Sequence, residues 1–186
     1  MLLSRATATG EVSFVNVEVG GDMNCHAARL DNAHGTALDL RGSSVRGSIF
    51  LTNGFSANGI VSLIAAKVGG YFVWHGITNP SNTKLYLNSA TFGTLIDEET
   101  SWPKRGNLSI DGLVYQRISA PYDARTRIKW LSLSDDSSFL PQPFEELAAT
   151  LRAMGHEEDA DEVMIAKNDH KAGVIWCLFG VFDGYG

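Results

Sequence analysis

Through the middle of the first half, large apolar residues return every five positions: Leu40, Val45, Phe50, Phe55 and Ile60. The small or polar residues Ser43, Ser48, Asn53 and Asn58 stand two places before the last four of them. A helix repeats its buried face at three and four residues and a strand at two, so neither accounts for an interval of five. Short strands joined by repeated corners do. The large residue of each five points into a narrow interior, the small one sits beside it, and Gly or Asn supplies the backbone angles at the bend. The pattern predicts a β-solenoid: a right-handed parallel β-helix of imperfect pentapeptide-like coils.

A longer period supports this. The stretch from Gly10 to Gly21 matches Gly59 to Gly70, with Gly10, Val12, Ser13, Val19, Gly20 and Gly21 recurring as Gly59, Val61, Ser62, Val68, Gly69 and Gly70. After a two-residue slip, Leu38, Leu40, Ser43 and Val45 correspond to Leu85, Leu87, Ala90 and Phe92. Such a repeat is the mark of a solenoid whose units bury their apolar faces against one another. With roughly 20–25 residues to a coil, the unit is two coils. Residues 1–118 then form the β-helix, of about five coils and ~25 Å in length. Leu2 to Thr9 resembles Leu51 to Asn58, so the first coil begins with nothing stacked beneath it. An uncapped coil is an exposed edge. The expectation is a fragment of a longer protein, or an end covered by a partner or by oligomerisation.

After residue 118 the period becomes helical. Ile128 and Leu131 share a face, with Trp130 and Leu133 flanking it. Pro141 and Pro143 open a second helix, in which Phe144, Leu147, Ala148 and Leu151 form the apolar stripe before Gly155 stops it. A third begins at Glu157-Glu158-Asp159, whose carboxylates favour the positive end of its dipole, and runs through Ala160, Val163, Met164 and Lys167. The last two form an αα-hairpin similar to the middle of a tetratricopeptide repeat. Residues 119–172 are therefore expected to be an α-helical cap on the last coil, and residues 173–186 an apolar tail.

These features together resemble a known family. Gly10–Cys25, its echo at Gly59, and above all Pro141–Lys167 are similar to a bacterial, mostly actinobacterial, family labelled membrane-associated oxidoreductase or pentapeptide-repeat-like. The similarity spans nearly the whole chain. It implies that a segment like Val181–Gly186 precedes a membrane anchor. It implies location at the inner, cytoplasmic face of the cell membrane. It carries over no catalytic residue.

Charge sharpens the division. Residues 1–134 hold 12 Lys/Arg and 10 Asp/Glu, residues 135–169 hold 2 and 10, and the remainder balances, giving the net −6. The acid belongs to the cap, and no basic stripe marks a nucleic-acid groove. Cys25 and Cys177 form neither a CxxC nor a disulfide framework. No basic segment followed by an apolar stretch opens the chain, so no signal peptide is visible. The longest apolar run, in the tail, is too short to span a bilayer.

Candidate chemistry is sparse. The Gly20-Gly21 and Gly69-Gly70 pairs sit at repeat-equivalent places and read as corners rather than as a nucleotide loop. Neither a phosphate-binding loop nor a cysteine cluster is present, and Gly54–Asn58 fails the nucleophile-elbow pattern at its last position. Cys25, His26, Asp31 and His34 are the one metal candidate, although their spacing fits no standard zinc pattern; a buried Cys in a coil is otherwise a small apolar filler. His75 is expected on the surface, His156 as a cap at the turn between the two hairpin helices, and Asp97-Glu98-Glu99 as a solvated loop. No catalytic or cofactor-binding residue is assigned. The first expectation is therefore a non-enzymatic scaffold that binds a protein partner, without a cofactor and with nucleic acid disfavoured. The alternatives are an enzyme component whose active site lies elsewhere, as the family label implies, and an acidic nucleic-acid mimic.

Overall fold

A computed structural model describes residues 1–134 and 140–171. The chain winds into five stacked coils. The first contains β1 (Thr7–Thr9), β2 (Val12–Ser13), β3 (Glu18–Val19) and β4 (Met23–Asn24); the second β5 (Arg29–Asp39), β6 (Ser44–Val45) and β7 (Ile49–Thr52). The third contains β8 (Ser56–Ser62) and β9 (Lys67–His75), the fourth β10 (Thr83–Tyr86) and β11 (Thr91–Asp97), the fifth β12 (Leu108–Ser109) and β13 (Val114–Ile118). Every pairing is parallel. One sheet runs β1-β5-β8-β10-β12, with β2 also on β5; the other runs β13-β11-β9-β6-β3, with β4 and β7 alongside. The expected β-solenoid is the observed fold.

Equivalent positions stack into columns. Val12, Leu38, Val61, Leu85 and Leu108 align through one sheet, and Met23, Ile49, Phe72, Leu95 and Ile118 through the other. All but Val12 are buried. Val12 and Val61 stand two coils apart in this column, as Val19 and Val68 do in theirs. That is why the sequence repeats over two coils. Phe72 stacks on Phe92 with ring centroids 4.7 Å apart, as the narrow interior requires.

A four-residue turn joins the two sheets in each coil, its fourth N–H donating to its first carbonyl at 2.9–3.3 Å: Phe14–Val17, Leu40–Ser43, Leu63–Ala66, Leu87–Ala90 and Ile110–Leu113. The third residue of each is left-handed: Asn16, Gly42, Ala65, Ser89 and Gly112, with φ from 55° to 71°. Only two of the five are glycine. Stacking against the neighbouring coil holds Ala65 and Ser89 in a conformation their side chains disfavour.

The Gly69-Gly70 pair is corrected in its role, whereas Gly20 and Gly21 sit at a bend after β3. Gly69 and Gly70 lie inside β9, without positive φ. They are glycine for space: a Cβ on Gly69 would lie 2.5 Å from the Arg46 carbonyl oxygen, and one on Gly93 2.5 Å from that of Gly69. Successive backbones approach closely here as the second sheet bends. The five-residue rhythm is also corrected. Leu40, Val45 and Phe55 fill the interior, whereas Phe50 and Ile60 face outward and are half-buried. β7 and β8 are long enough for two-residue alternation to take over, so Ile49, Leu51, Ala57 and Val61 point inward instead.

The cap has three helices: α1 (Ala124–Leu131), α2 (Gln142–Ala153) and α3 (Glu157–Lys171). Asp123 caps α1 by accepting from Thr126 N at 2.9 Å. That backbone hydrogen bond holds its carboxyl below the usual range. The stripe Phe144, Leu147, Ala148 and Leu151 is buried and continuous with the coil interior, together with Trp130, Leu131, Ala160 and Val163. Gly155, at φ 87°, ends α2 as expected. His156 begins α3 through its carbonyl, which accepts from Ala160 N, and its ring packs on Tyr122 at 4.5 Å.

The edge of the last coil meets α2 through side chains that replace a next strand. Gln142 accepts from Gly112 N at 2.9 Å and donates to Leu113 O at 3.0 Å. Glu146 accepts from Tyr115 N at 3.0 Å, and the Thr150 hydroxyl donates to Tyr115 O at 3.2 Å. Four helical residues advance about 6 Å and two strand residues about 6.6 Å, so Gln142 and Glu146 match the step from Leu113 to Tyr115.

Candidate functional site

The residues expected as a metal set do not converge. Cys25 points into the core with no exposure, and burial pushes its thiol up to about 12. His26, next in the chain, faces outward, stacked on Phe50 at 6.0 Å and hydrogen-bonded to the Thr52 hydroxyl. Asp31 is exposed and accepts from Asn58 Nδ2 at 2.9 Å. His34 sits exposed on the Asn32–Gly35 excursion of β5, where the register with β8 shifts. Among the described residues no group of three or more His, Cys, Asp or Glu is placed to hold a metal ion. The physical cause is the solenoid itself, since neighbouring residues of a strand point to opposite sides of the wall.

Asp97-Glu98-Glu99 is not the solvated loop expected. Asp97 ends β11 pointing inward and is buried. Its carboxylate accepts from Arg127 Nη1 at 2.9 and 3.0 Å and from Trp102 Nε1 at 2.7 Å. Arg127, itself without exposure, also donates to the carbonyls of Pro121 at 2.8 Å and Ser119 at 2.6 Å. Glu98 is partly exposed and sits on the outside of the wall. Although partial burial acts the other way, the Ser101 hydroxyl, Gly76 N–H and the charge of His75 hold its carboxyl below the usual range. Glu99 is exposed and pairs with Lys129.

The combination of His75, Glu98 and Ser101 invites a catalytic reading that its geometry does not carry. His75 Nε2 lies 3.1 Å from one Glu98 oxygen, and the Ser101 hydroxyl donates to the other at 2.7 Å. Glu98 stands between them, so the His75 ring does not reach the hydroxyl, and Ser101 is buried away from any substrate. The Ser101 oxygen is also occupied by Ile77 N at 3.0 Å. These groups pin the 98–102 turn to the end of β9.

Tyr115 is the other unusual group. Its buried hydroxyl has no hydrogen-bond partner, and burial together with the charge of Glu146 pushes its pKa upward. It lines a crevice between the last coil and α2, with Ile110, Leu113, Trp130, Pro143 and Glu146. The crevice is too narrow for a water molecule.

What the coils do present is an ordered outer surface. On the second sheet Phe50, Val73 and Ile96 stack in register as an outward-pointing apolar row across three coils, Phe50 and Ile96 half-buried and Val73 between them buried. Tyr71, half exposed, stands beside it in register with Thr94 and Arg117. The five-residue rhythm puts Phe50 in the interior and misses this row; the unbroken apolar run Phe72-Val73-Trp74, which makes both faces of β9 apolar, is the signal for it. Comparison with protein-family models, with curated proteins and with solved structures finds no match to this chain.

Proposed function

We propose that this chain is a non-enzymatic β-solenoid scaffold that binds a protein partner through the outer face of its second sheet. The observation that carries the reading is the half-exposed Tyr71 beside the partly exposed Phe50 and Ile96, which stand in register on either side of the buried Val73. Aromatic and aliphatic side chains on a rigid surface form the centre of protein interfaces. The polar groups that would serve catalysis are instead engaged in holding turns, as for Glu98 and Ser101, or in joining the cap to the coils, as for Asp97 and Arg127. Outward rows of mixed sign, such as Glu18, Ser44, Lys67, Thr91 and Val114, favour a protein partner over a nucleic-acid mimic.

The resemblance to an oxidoreductase-labelled, membrane-associated family places the scaffold at the cytoplasmic face of a membrane in this reading. The apolar tail 173–186, on which the anchor expectation rests, lies outside the described residues. Among those described, no helix is long and apolar enough to cross a membrane.

Affinity capture with the wild-type chain and with a Tyr71→Ala/Ile96→Ala variant tests the proposal. A partner held by the wild type and lost from an equally stable variant is the expected result. Equal capture by both, or a stoichiometric flavin, nicotinamide or metal in the purified protein, overturns it.

A further inference from the structure

The outer face of the second sheet carries its charges in a definite order along the solenoid. Tyr71, Thr94 and Arg117 stand in register on β9, β11 and β13. Ser48 and Asp22 continue the same column on the second and first coils. Each directly precedes a residue of the next column, where Met23, Ile49 and Phe72 are paired, and the Asp22 carboxylate accepts from Ser48 N at 2.8 Å. From the first coil to the fifth the column reads Asp22, Ser48, Tyr71, Thr94, Arg117. A carboxylate and a guanidinium thus stand two coils to either side of a half-exposed tyrosine, with a hydroxyl between on each side. Asp22, Tyr71 and Arg117 are exposed. The neighbouring outward column runs Asn24, Phe50, Val73, Ile96 and Ser119, polar at both ends and apolar in the middle.

The geometry points to a second copy of this chain as the partner of this face, the two sheets packed face to face about a two-fold axis that runs along β9. The inference rests on the reading of this face as the docking surface and names its occupant. Such an axis keeps each column opposite itself and reverses the order of the coils. The first coil of one copy then meets the fifth of the other, and the second meets the fourth. Asp22 faces Arg117 at both ends, Ser48 faces Thr94 twice, and Tyr71 packs on its own copy at the axis. In the neighbouring column Phe50 faces Ile96 twice. With the coil order kept instead of reversed, Asp22 would face Asp22 and Arg117 would face Arg117, which is unfavourable. The remaining charges meet neutral groups: Glu18 faces Val114, Arg46 faces Gly93, and Glu98 faces Thr52. Lys67 and His75 lie on the axis at the two margins of the sheet. There the stem of Lys67 lets its ammonium group turn to water, while His75 is held by Glu98 at 3.1 Å. The face measures about 20 Å along the strands and about 20 Å across the coils, which puts the contact among the smaller, reversible interfaces. A two-fold contact uses the same patch on both copies and closes at a dimer.

Sedimentation velocity on the full chain, up to about 100 µM, tests it with three variants. Tyr71→Arg sets like charges against each other on the axis. Arg117→Glu sets two carboxylates opposite at both ends, and Asp22→Lys/Arg117→Glu restores opposite charges in reversed order. The expected results are a wild-type dimer, association at least ~10-fold weaker for Tyr71→Arg and for Arg117→Glu, and recovery in the double variant. A wild-type monomer at the highest concentration, a folded Tyr71→Arg dimer of undiminished affinity, or a double variant no tighter than Arg117→Glu overturns the proposal. If Tyr71→Arg fails to fold, the charge pair decides alone. A monomeric wild type that still captures a different protein through Tyr71 and Ile96 overturns this inference and leaves the docking reading standing.

Discussion

Arg127 of the first cap helix reaches into the fourth coil and places Nη1 2.9 Å from one carboxylate oxygen of Asp97 and 3.0 Å from the other. Both side chains are almost wholly buried, at 0% and 3% exposure, so the pair is a fixed joint between coils and cap. Removing one partner of a buried pair leaves an uncompensated charge and costs about 3–5 kcal/mol. Arg127→Met is therefore expected to lower stability by that order, read from the midpoint of urea unfolding. Asp97→Leu/Arg127→Met is expected to cost clearly less than the sum of its two single changes, since neither charge is then stranded. Simple addition of the two would show that the pair carries no joint role.

The glycines divide by what a side chain would meet. A Cβ at position 93 would lie 2.5 and 2.7 Å from the carbonyl oxygens of Gly69 and Gly70, and backbone of the adjacent coil has nowhere to move. A Cβ at Gly20 would meet nothing within 4 Å, and its φ is not positive. Gly93→Ala is expected to destabilise by about 1–3 kcal/mol. Gly20→Ala is expected to be neutral or to stabilise by up to about 1 kcal/mol, through the reduced freedom of the unfolded chain. Thermal melts of the two variants check the contrast, and equal shifts would remove the close-approach argument.

What could be read from the sequence, and what could not, follows from the range of the interactions. Val12 and Val61, or Val19 and Val68, repeat because each pair occupies one inward column two coils apart, so periodicity alone reveals the solenoid. The five-residue interval misplaces Phe50 and Ile60 because it holds only where turns are frequent; inside β7 and β8 the two-residue pleat decides. Ala65 and Ser89 carry no sign of left-handed backbone, which the stack of turns imposes from outside. Asp97 and Arg127 lie thirty positions apart in different kinds of element, so no local pattern joins them. The dispersal of Cys25, His26, Asp31 and His34 has the reverse cause: nearness in sequence becomes opposition across a sheet.

Helix α2 covers the last coil through polar side chains, and this predicts where opening begins. Gln142→Ala leaves Gly112 N–H and Leu113 C=O without their partner, and Glu146→Ala does the same to Tyr115 N–H. Each is expected to cost about 1–2 kcal/mol. Amide hydrogen exchange should quicken at Gly112 in the first variant and at Tyr115 in the second. The amides of Leu40 and Leu63, bonded between inner coils to Ser62 O and Tyr86 O, should keep their protection. Acceleration spread evenly over all coils would mean that the helix stabilises the solenoid only through its apolar stripe.

Cys25 gives stability a dependence on alkaline pH whose sign is set by its burial. Desolvation in the core raises its folded-state pKa to about 12, against roughly 8.5 for an unperturbed thiol. A group whose folded pKa is raised contributes stability that is complete below the unfolded value and lost as pH rises toward the folded one. Between about pH 8.5 and 12, the unfolded chain releases this proton while the folded chain keeps it, and unfolding becomes easier. Cys25→Ala removes that slope at the cost of a small cavity, and Cys25→Ser keeps the volume but adds a hydroxyl to an apolar site. The expected result is a wild-type protein that loses stability more steeply than Cys25→Ala between pH 8.5 and 10.5, in urea titrations at fixed ionic strength. The same burial predicts that a thiol reagent at neutral pH modifies Cys25 only after denaturant is added, since the thiolate is the reactive form. Rapid labelling of Cys25 in the folded protein, located by peptide mass analysis, would show that its coil opens far more readily than its place in the core implies.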